Sequence, residues 1–322
     1  MIFVSQILAT LSTNSLIPPA SGENFIYFVN VKYGSTVVCS NIVGRLEGSV
    51  YKFYGVEENV KAYMELHGIA FAEFEFDIYR KWEGYDPVNT SSNLYEVLYD
   101  AYKYNGTAAS IVNNHFMTRR KEVWTHSSQA YMARWAGGTV GDTFTIVKYK
   151  KDGTTSTQTV EVTSKSGAVA IGGNSDLIYC YAKYGNRELT VYTLDAPKYL
   201  MFEFRNQFNS KEYLTLVATI KSSPSTEYET ASQGRKTRKY DIEHKLEITI
   251  KTSGLFPGQE DALLEMCRSR EVKFVRSDLG IVHWSEVLIK DYKLEKSDAP
   301  NTPVTAEITF EPADYDELTL TV

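Results

Sequence analysis

Apolar and polar residues alternate with a period of two over most of this chain, the period that places a strand's side chains on two opposite faces. Phe25, Tyr27, Val29 and Val31 share one parity, and Phe74, Phe76 and Ile78 alternate with Glu73, Glu75 and Asp77. Each run predicts a strand with one face inward. Near the end, Ile242, His244, Leu246, Ile248 and Ile250 repeat the pattern. Turn residues separate the runs. Asp152-Gly153 and Gly185-Asn186 lie between strand-like segments, where a tight hairpin needs residues that tolerate positive φ. Gly172-Gly173-Asn174, Asn209-Ser210 and Asp278-Leu279-Gly280 mark further turns. Two segments carry a helical period instead. Asn93 with Glu96 forms a capping-box pattern before Leu94, Val97, Leu98 and Ala101, predicting a helix over 94–103. Ala262, Leu263, Met266 and Cys267 fall on one stripe, predicting a second over 259–268.

The fold class that follows is mainly β: antiparallel β-sandwich domains with one or two short helices. At 322 residues the chain has room for more than one core. Composition shifts suggest where they divide. Residues 1–105 read as a strand-rich N-terminal part, and 106–195, rich in Thr, Ser, Gly and Val, as an inserted small sandwich. Residues 196–322 read as a C-terminal sandwich with one helix. The stretch from Ser222 to Lys239 reads as a long polar loop. Linkers between the parts are short, so they are expected to touch.

Composition narrows the classes. Apolar residues at 43% and charged residues at 23% suit a folded, water-exposed protein. The 23 Tyr, 15 Phe and 4 Trp suit pleated sheets, and Trp135, Trp284 and Phe274 are expected in the core. A net charge of −6 argues against general wrapping of nucleic acid. Cys39, Cys180 and Cys267 are odd in number and widely spaced, so reduced thiols in an intracellular setting are expected. The opening MIFVSQILATLSTNSLIPPASG lacks a basic leader and is interrupted by Ser5, Gln6, Thr10 and Ser12; an extended arm or strand is expected there. No segment reaches the roughly twenty apolar residues of a membrane helix, and no membrane role is expected.

Signatures of catalysis are missing. No G-x-S-x-G elbow occurs, and Gly137-Gly138-Thr139-Val140-Gly141 precedes a strand, so it reads as a turn and not a phosphate loop. His67, His115, His126, His244 and His283 show no metal-ligand spacing, and Asp314, Asp316 and Glu317 lack the pattern of a calcium loop. Glu73 and Glu75 alternate as on any half-exposed strand. No catalytic residue, metal or cofactor is therefore expected. Two dense basic clusters remain, Arg119 and Arg120 with Lys121, and Arg235, Lys236, Arg238 and Lys239. They are the candidate contact points for neighbours or for DNA.

Three stretches, NNHFMTRRKEVWTHSSQAYMARW, YLMFEFRNQFNSKEYLTLVATI and SGLFPGQEDALLEMCRSREVKFV through AEITFEP, resemble the tail structural proteins of phages and prophages of Bacteroidetes. The resemblance spans roughly the last two-thirds of the chain and rests on aromatic and turn patterns; a galectin-like C-terminal domain, carried by many distal tail proteins, is not identifiable. It implies a tail-tube-like architecture and a non-enzymatic distal tail or baseplate hub component, assembled in the host cytoplasm into the virion tail. A homo-oligomeric ring around the DNA channel is implied, with tail tube, hub and tape-measure proteins as partners and transient contact with DNA. A carbohydrate-binding or adhesive β-sandwich is the alternative, since aromatic faces stack on sugar rings.

Overall fold

Long-range ladders organise the computed structural model, which describes residues 1–12, 25–48, 50–101, 107–196, 199–233, 236–278, 281–296 and 302–313. At 226–229, 231–233, 236–245, 276–278 and 281–284 it describes backbone alone. The chain is mainly β, and its apolar residues gather into three successive cores and one joint between them.

The first core is built from β1 (Ile2–Phe3), β2 (Phe25–Tyr33), β3 (Thr36–Val43), β6 (Phe71–Trp82) and β7 (Val88–Leu98), in the order β1-β7-β6-β2-β3. Over one face lie α1 (Ile7–Ser12), α2 (Val56–Leu66) and the small hairpin of β4 (Arg45–Glu47) and β5 (Val50–Lys52). The inward parity is the one read from sequence: Val29, Val31, Phe74, Phe76 and Ile78 are fully buried with Val60 and Met64 of α2. Two expectations fail here. The opening residues form a 3-10 turn and α1 after a two-residue strand, because Val4, Ile7 and Leu11 bury one helical face on this core. Residues 94–98 belong to β7, not to a helix: Asn93 pairs with Phe76, and Leu94 is 64% exposed where a helical stripe would have buried it. The ladder with β6 outweighs a local propensity of a few tenths of a kcal/mol per residue.

After α3 (Ala108–Asn114) comes a small sandwich. One layer holds β8 (Glu122–His126), β10 (Thr143–Lys150), β11 (Thr155–Glu161), β13 (Leu177–Tyr184) and β14 (Arg187–Leu194), ordered β11-β10-β13-β14-β8. The other pairs β9 (Ala130–Trp135) with β12 (Gly167–Gly172). Tyr131, Ala133, Trp135 and Ile171 face Phe144, Ile146, Cys180 and Val191 across the core. The Asp152-Gly153 turn forms as expected, with Gly153 at φ +82° and the Asp152 carboxylate accepting from the Thr154 N–H at 2.8 Å. Among the described residues two pairings run parallel, β14 with β8 and β1 with β7.

The third core is one continuous seven-stranded sheet: β15 (Leu200–Arg205), β16 (Lys211–Leu216), β17 (Ala218–Gln233), β18 (Lys236–Thr252), β19 (Val272–Asp278), β20 (Ile281–Glu295) and β21 (Thr305–Pro312). Its order is β16-β15-β19-β20-β21-β18-β17, with α4 (Gln259–Cys267) packed onto it. Ala262, Leu263 and Met266 of α4 are fully buried, as their spacing predicts, although Cys267 is half-buried. Phe202, Phe274 and Phe310 form a triangle with centroids 5.2 to 5.7 Å apart. Trp135 and Phe274 are core residues; the side chain of Trp284 lies outside the described residues. Four short α-helices occur among the described residues. No helix among the described residues is long and apolar enough to cross a membrane.

Candidate functional site

Two features stand out from this frame: an arm that leaves it and a joint that locks it. The arm is the hairpin of β17 and β18, whose register runs without a loop from Ala218 opposite Thr252 to Gln233 opposite Lys236. The stretch expected to be a long polar loop is therefore two strands. Its residues are polar on both faces, so alternation is invisible in sequence, while paired backbone amides supply the order. β21 supports β18 only over Ile248–Lys251. Beyond Ser223 and Glu247 no third strand accompanies the pair among the described residues, and ten residue steps carry it roughly 35 Å outward. Side chains from Thr219 to Ser225 are exposed, and Pro224, which has no amide hydrogen to donate, sits on the outer strand. A lone two-stranded ribbon is marginal in water.

The basic residues read from sequence divide between arm and joint. Lys236, Arg238 and Lys239 lie on β18 opposite Gln233, Ala231 and Thr230 at the arm's far end; Arg235 lies outside the described residues. Arg119 is exposed beside the joint. Arg120 corrects its expectation as an outward contact point: its side chain is 6% exposed and forms an ion pair with the 1% exposed Glu212. Glu212 also accepts from Thr118 Oγ1 at 2.7 Å and Asn206 Nδ2 at 2.9 Å. A charge that far from water needs a partner within the chain, and Arg120 is that partner.

The joint is organised by the turn between β15 and β16, which the Asn209-Ser210 signal located. Asn206 Nδ2 donates to the Met117 carbonyl at 2.7 Å, and its Oδ1 accepts from the N–H groups of Phe208 and Ser210. Asn209 adopts φ +55° and donates to the Met64 carbonyl at 2.8 Å at the end of α2. Phe208, fully buried, packs with Phe3, Phe71, Leu98, Val112, Met117 and Ala136. One five-residue turn of the third core thus holds the first core and the approach to the second. Elsewhere Trp124 of β8 stacks between Tyr192 and Phe256, each at 4.4 Å, and donates to the Pro257 carbonyl. Lys165 bridges Glu73 at 2.5 Å and Glu96 at 2.9 Å, tying the sandwich to the first sheet. Of the two carboxylates read as a half-exposed strand face, Glu73 thus reaches the sandwich, while Glu75 lies 4.0 Å from Lys32 of its own sheet.

Around the joint opens a cleft of about 890 Å³, bounded by α2, residues 119–122, the β15–β16 turn and α4. Glu265 of α4 lines it and accepts from the Gln207 N–H at 2.8 Å. Burial, then the charge of Glu212, pushes its carboxyl up to about 7. Of the residues that line this cleft, Lys61, Glu265 and Arg268 were not singled out from sequence. They come from distant segments and share no motif.

Two of the histidines are packed on tyrosines, and the side chains of His244 and His283 lie outside the described residues. His67 stacks on Tyr63 at 4.1 Å, and His126 on Tyr199 at 3.6 Å. Among the described residues no group of three or more His, Cys, Asp or Glu side chains is arranged as metal ligands.

No family model matches this chain, and no curated protein matches it. Among solved structures, it is similar to a chain in the virion of a native gene transfer agent particle. There the TM-score is 0.27 at 14% identity, covering 38% of this chain and 95% of that one. A second similarity is to the tail of an empty gene transfer agent particle with C6 symmetry: TM-score 0.25, 16% identity, 36% of this chain and 91% of that one. Neither likeness carries a role over to this chain.

Proposed function

We propose that this protein is a non-enzymatic structural subunit of a phage-like tail, of distal tail or baseplate hub type, that assembles into a homo-oligomeric ring and links tail parts in the virion. The observation that carries the reading is the arm: a ribbon of roughly 35 Å with both edges unpaired, projecting from a body whose three cores are locked together. Open edges favour pairing with further backbone, and closure around an axis limits that pairing to a finite assembly. A braced body suits such a part, because force on the arm is transmitted through the joint instead of being lost in a flexible linker. The basic end of the arm, Lys236, Arg238 and Lys239, with Arg235 adjoining them in sequence, is the proposed contact with neighbours, and its charge suits acidic surfaces or DNA passing through a channel.

Native mass spectrometry and negative-stain imaging of the full chain test this. The expected result is a closed ring, with charge reversal at Lys236, Arg238 and Lys239 leaving the subunit folded but shifting it towards monomer. A protein that stays monomeric at every concentration and is absent from purified particles would remove the reading.

A further inference from the structure

The cleft at the joint has a composition at odds with the whole chain. Seven cationic side chains and five carboxylates line it, an excess of two positive charges in a protein whose net charge is −6. Several of these charges are matched locally: Arg120 by Glu212, Arg205 by Glu271 at 3.0 Å, and Arg270 by Glu65. Lys61 lies over the Tyr99 ring at 5.7 Å. Lys121 and Arg268 have no ion-pair partner among the described residues, and they stand on two different walls. Arg119 lines the same space.

Glu65 and Glu271 face arginines, and Glu265, held largely protonated near neutrality, already accepts an N–H from Gln207, which leaves Glu122 and Asp261 as the carboxylates without an ion pair among the described residues. Four cations, Lys61, Arg119, Lys121 and Arg268, stand outside those ion pairs, so the balance of the cleft favours an oxyanion over a metal cation. Guanidinium groups are planar forks that bind phosphate and carboxylate oxygens in pairs, and ammonium groups add a point charge. The volume falls within the roughly 300 to 1,000 Å³ range of small-molecule sites. We propose that this cleft between α2, residues 119–122, the β15–β16 turn and α4 is a binding site for a small, multiply charged oxyanion, a phosphate or carboxylate ligand held by Lys121 and Arg268. The site lies within one chain and does not depend on ring formation.

Glu265 gives the site a signature of its own. It is faced by Glu212 of β16, by Arg120 and Arg119 from the segment before β8, and by the Gln207 N–H, with Arg268 one turn along its own helix. Burial and Glu212 leave it poised near about 7, so an anion seated beside it favours the protonated form and binding takes up protons near neutrality.

Isothermal calorimetry of the full chain with inorganic pyrophosphate, and separately with citrate, tests the proposal. At least one is expected to bind with Kd below about 1 mM, the stronger of the two naming phosphate or carboxylate as the preferred group. The double variant Lys121→Gln/Arg268→Gln is expected to weaken binding at least about tenfold, equivalent to the loss of one good contact. The double variant Lys183→Gln/Lys293→Gln, of equal charge change on exposed strands, is expected to leave affinity unchanged. Glu265→Gln is expected to retain binding but lose its proton uptake, read from the difference in apparent enthalpy between buffers of unlike ionisation heat. No binding by either probe, equal weakening by both double variants, or undiminished proton uptake in Glu265→Gln would each overturn the assignment.

Discussion

Glu265 and the Arg120–Glu212 pair show how single residues at the joint set its energetics. The Glu265 carboxyl, ordinarily near 4.5, is held up to about 7 by burial and by Glu212. In the unfolded chain it ionises at the lower value, so the folded state binds more protons throughout that interval. Its contribution to stability is complete below about 4.5 and is lost as pH rises through about 7, a swing of about 3 kcal/mol. Urea denaturation of the wild type and Glu265→Gln across that window checks this. The midpoint difference is expected to move against the wild type as pH rises. For the buried pair, Arg120→Ala leaves the Glu212 carboxylate without its countercharge and is expected to cost about 3 to 5 kcal/mol. Arg120→Met combined with Glu212→Gln is expected to cost less than that single substitution, because no uncompensated charge remains; equilibrium denaturation distinguishes the two.

At the scale of elements, the arm and α4 behave in opposite ways. α4 buries Ala262, Leu263 and Met266 on the third core, so its presence is a matter of folding. The arm beyond Ser223 and Glu247 meets no third strand among the described residues, and on the proposed reading its role is association. Replacing residues 224–246 with a two-residue Asn-Gly turn is expected to preserve the melting transition of the body while abolishing oligomers. Differential scanning calorimetry and analytical ultracentrifugation measure the two effects separately. A body that melts much earlier without the arm would show the ribbon to be part of the core instead. Such a turn suits the twist of the flanking strands, which keeps the substitution from straining their bases.

For the whole molecule, rigidity depends on a small number of contacts between cores. Phe208, from the β15–β16 turn, packs with Phe3, Phe71 and Leu98 of the first sheet and with Val112, Met117 and Ala136 on the approach to the second core, and the buried Arg187 donates to the Val112 and Ala136 carbonyls at 2.5 and 3.0 Å. Phe208→Ala is expected to cost about 3 to 5 kcal/mol and to open the joint before the individual cores. Hydrogen exchange should then rise first at α3 and the β15–β16 turn, with the centre of each sheet still protected. Uniform loss of protection across all three cores would show that they fold only as one unit.

How much of this was legible beforehand depended on whether the signal was local. The inward parities of β2 and β6, the Asp152-Gly153 and Asn209-Ser210 turns and the stripe of α4 were readable, because burial on one face imposes a period and a tight turn restricts its residues. The strand identity of Leu94 to Leu98 was not: there a capping pattern competed with a partner strand whose influence comes from Phe71 to Trp82. The outer half of the arm was hidden because Ser222 to Lys239 is polar throughout, so no apolar period marks it as strand, although Ile242, His244 and Leu246 did mark the base of β18. Sequence alone determined that this protein folds as β structure with basic clusters at 119–121 and 235–239. Tertiary structure alone decided that Arg120 turns inward, that Glu265 and Arg268 share a cleft with Lys121, and that the distal polar segment becomes an arm. Those outcomes depend on desolvation and on pairing between residues far apart in the chain, and neither leaves a mark on neighbouring positions.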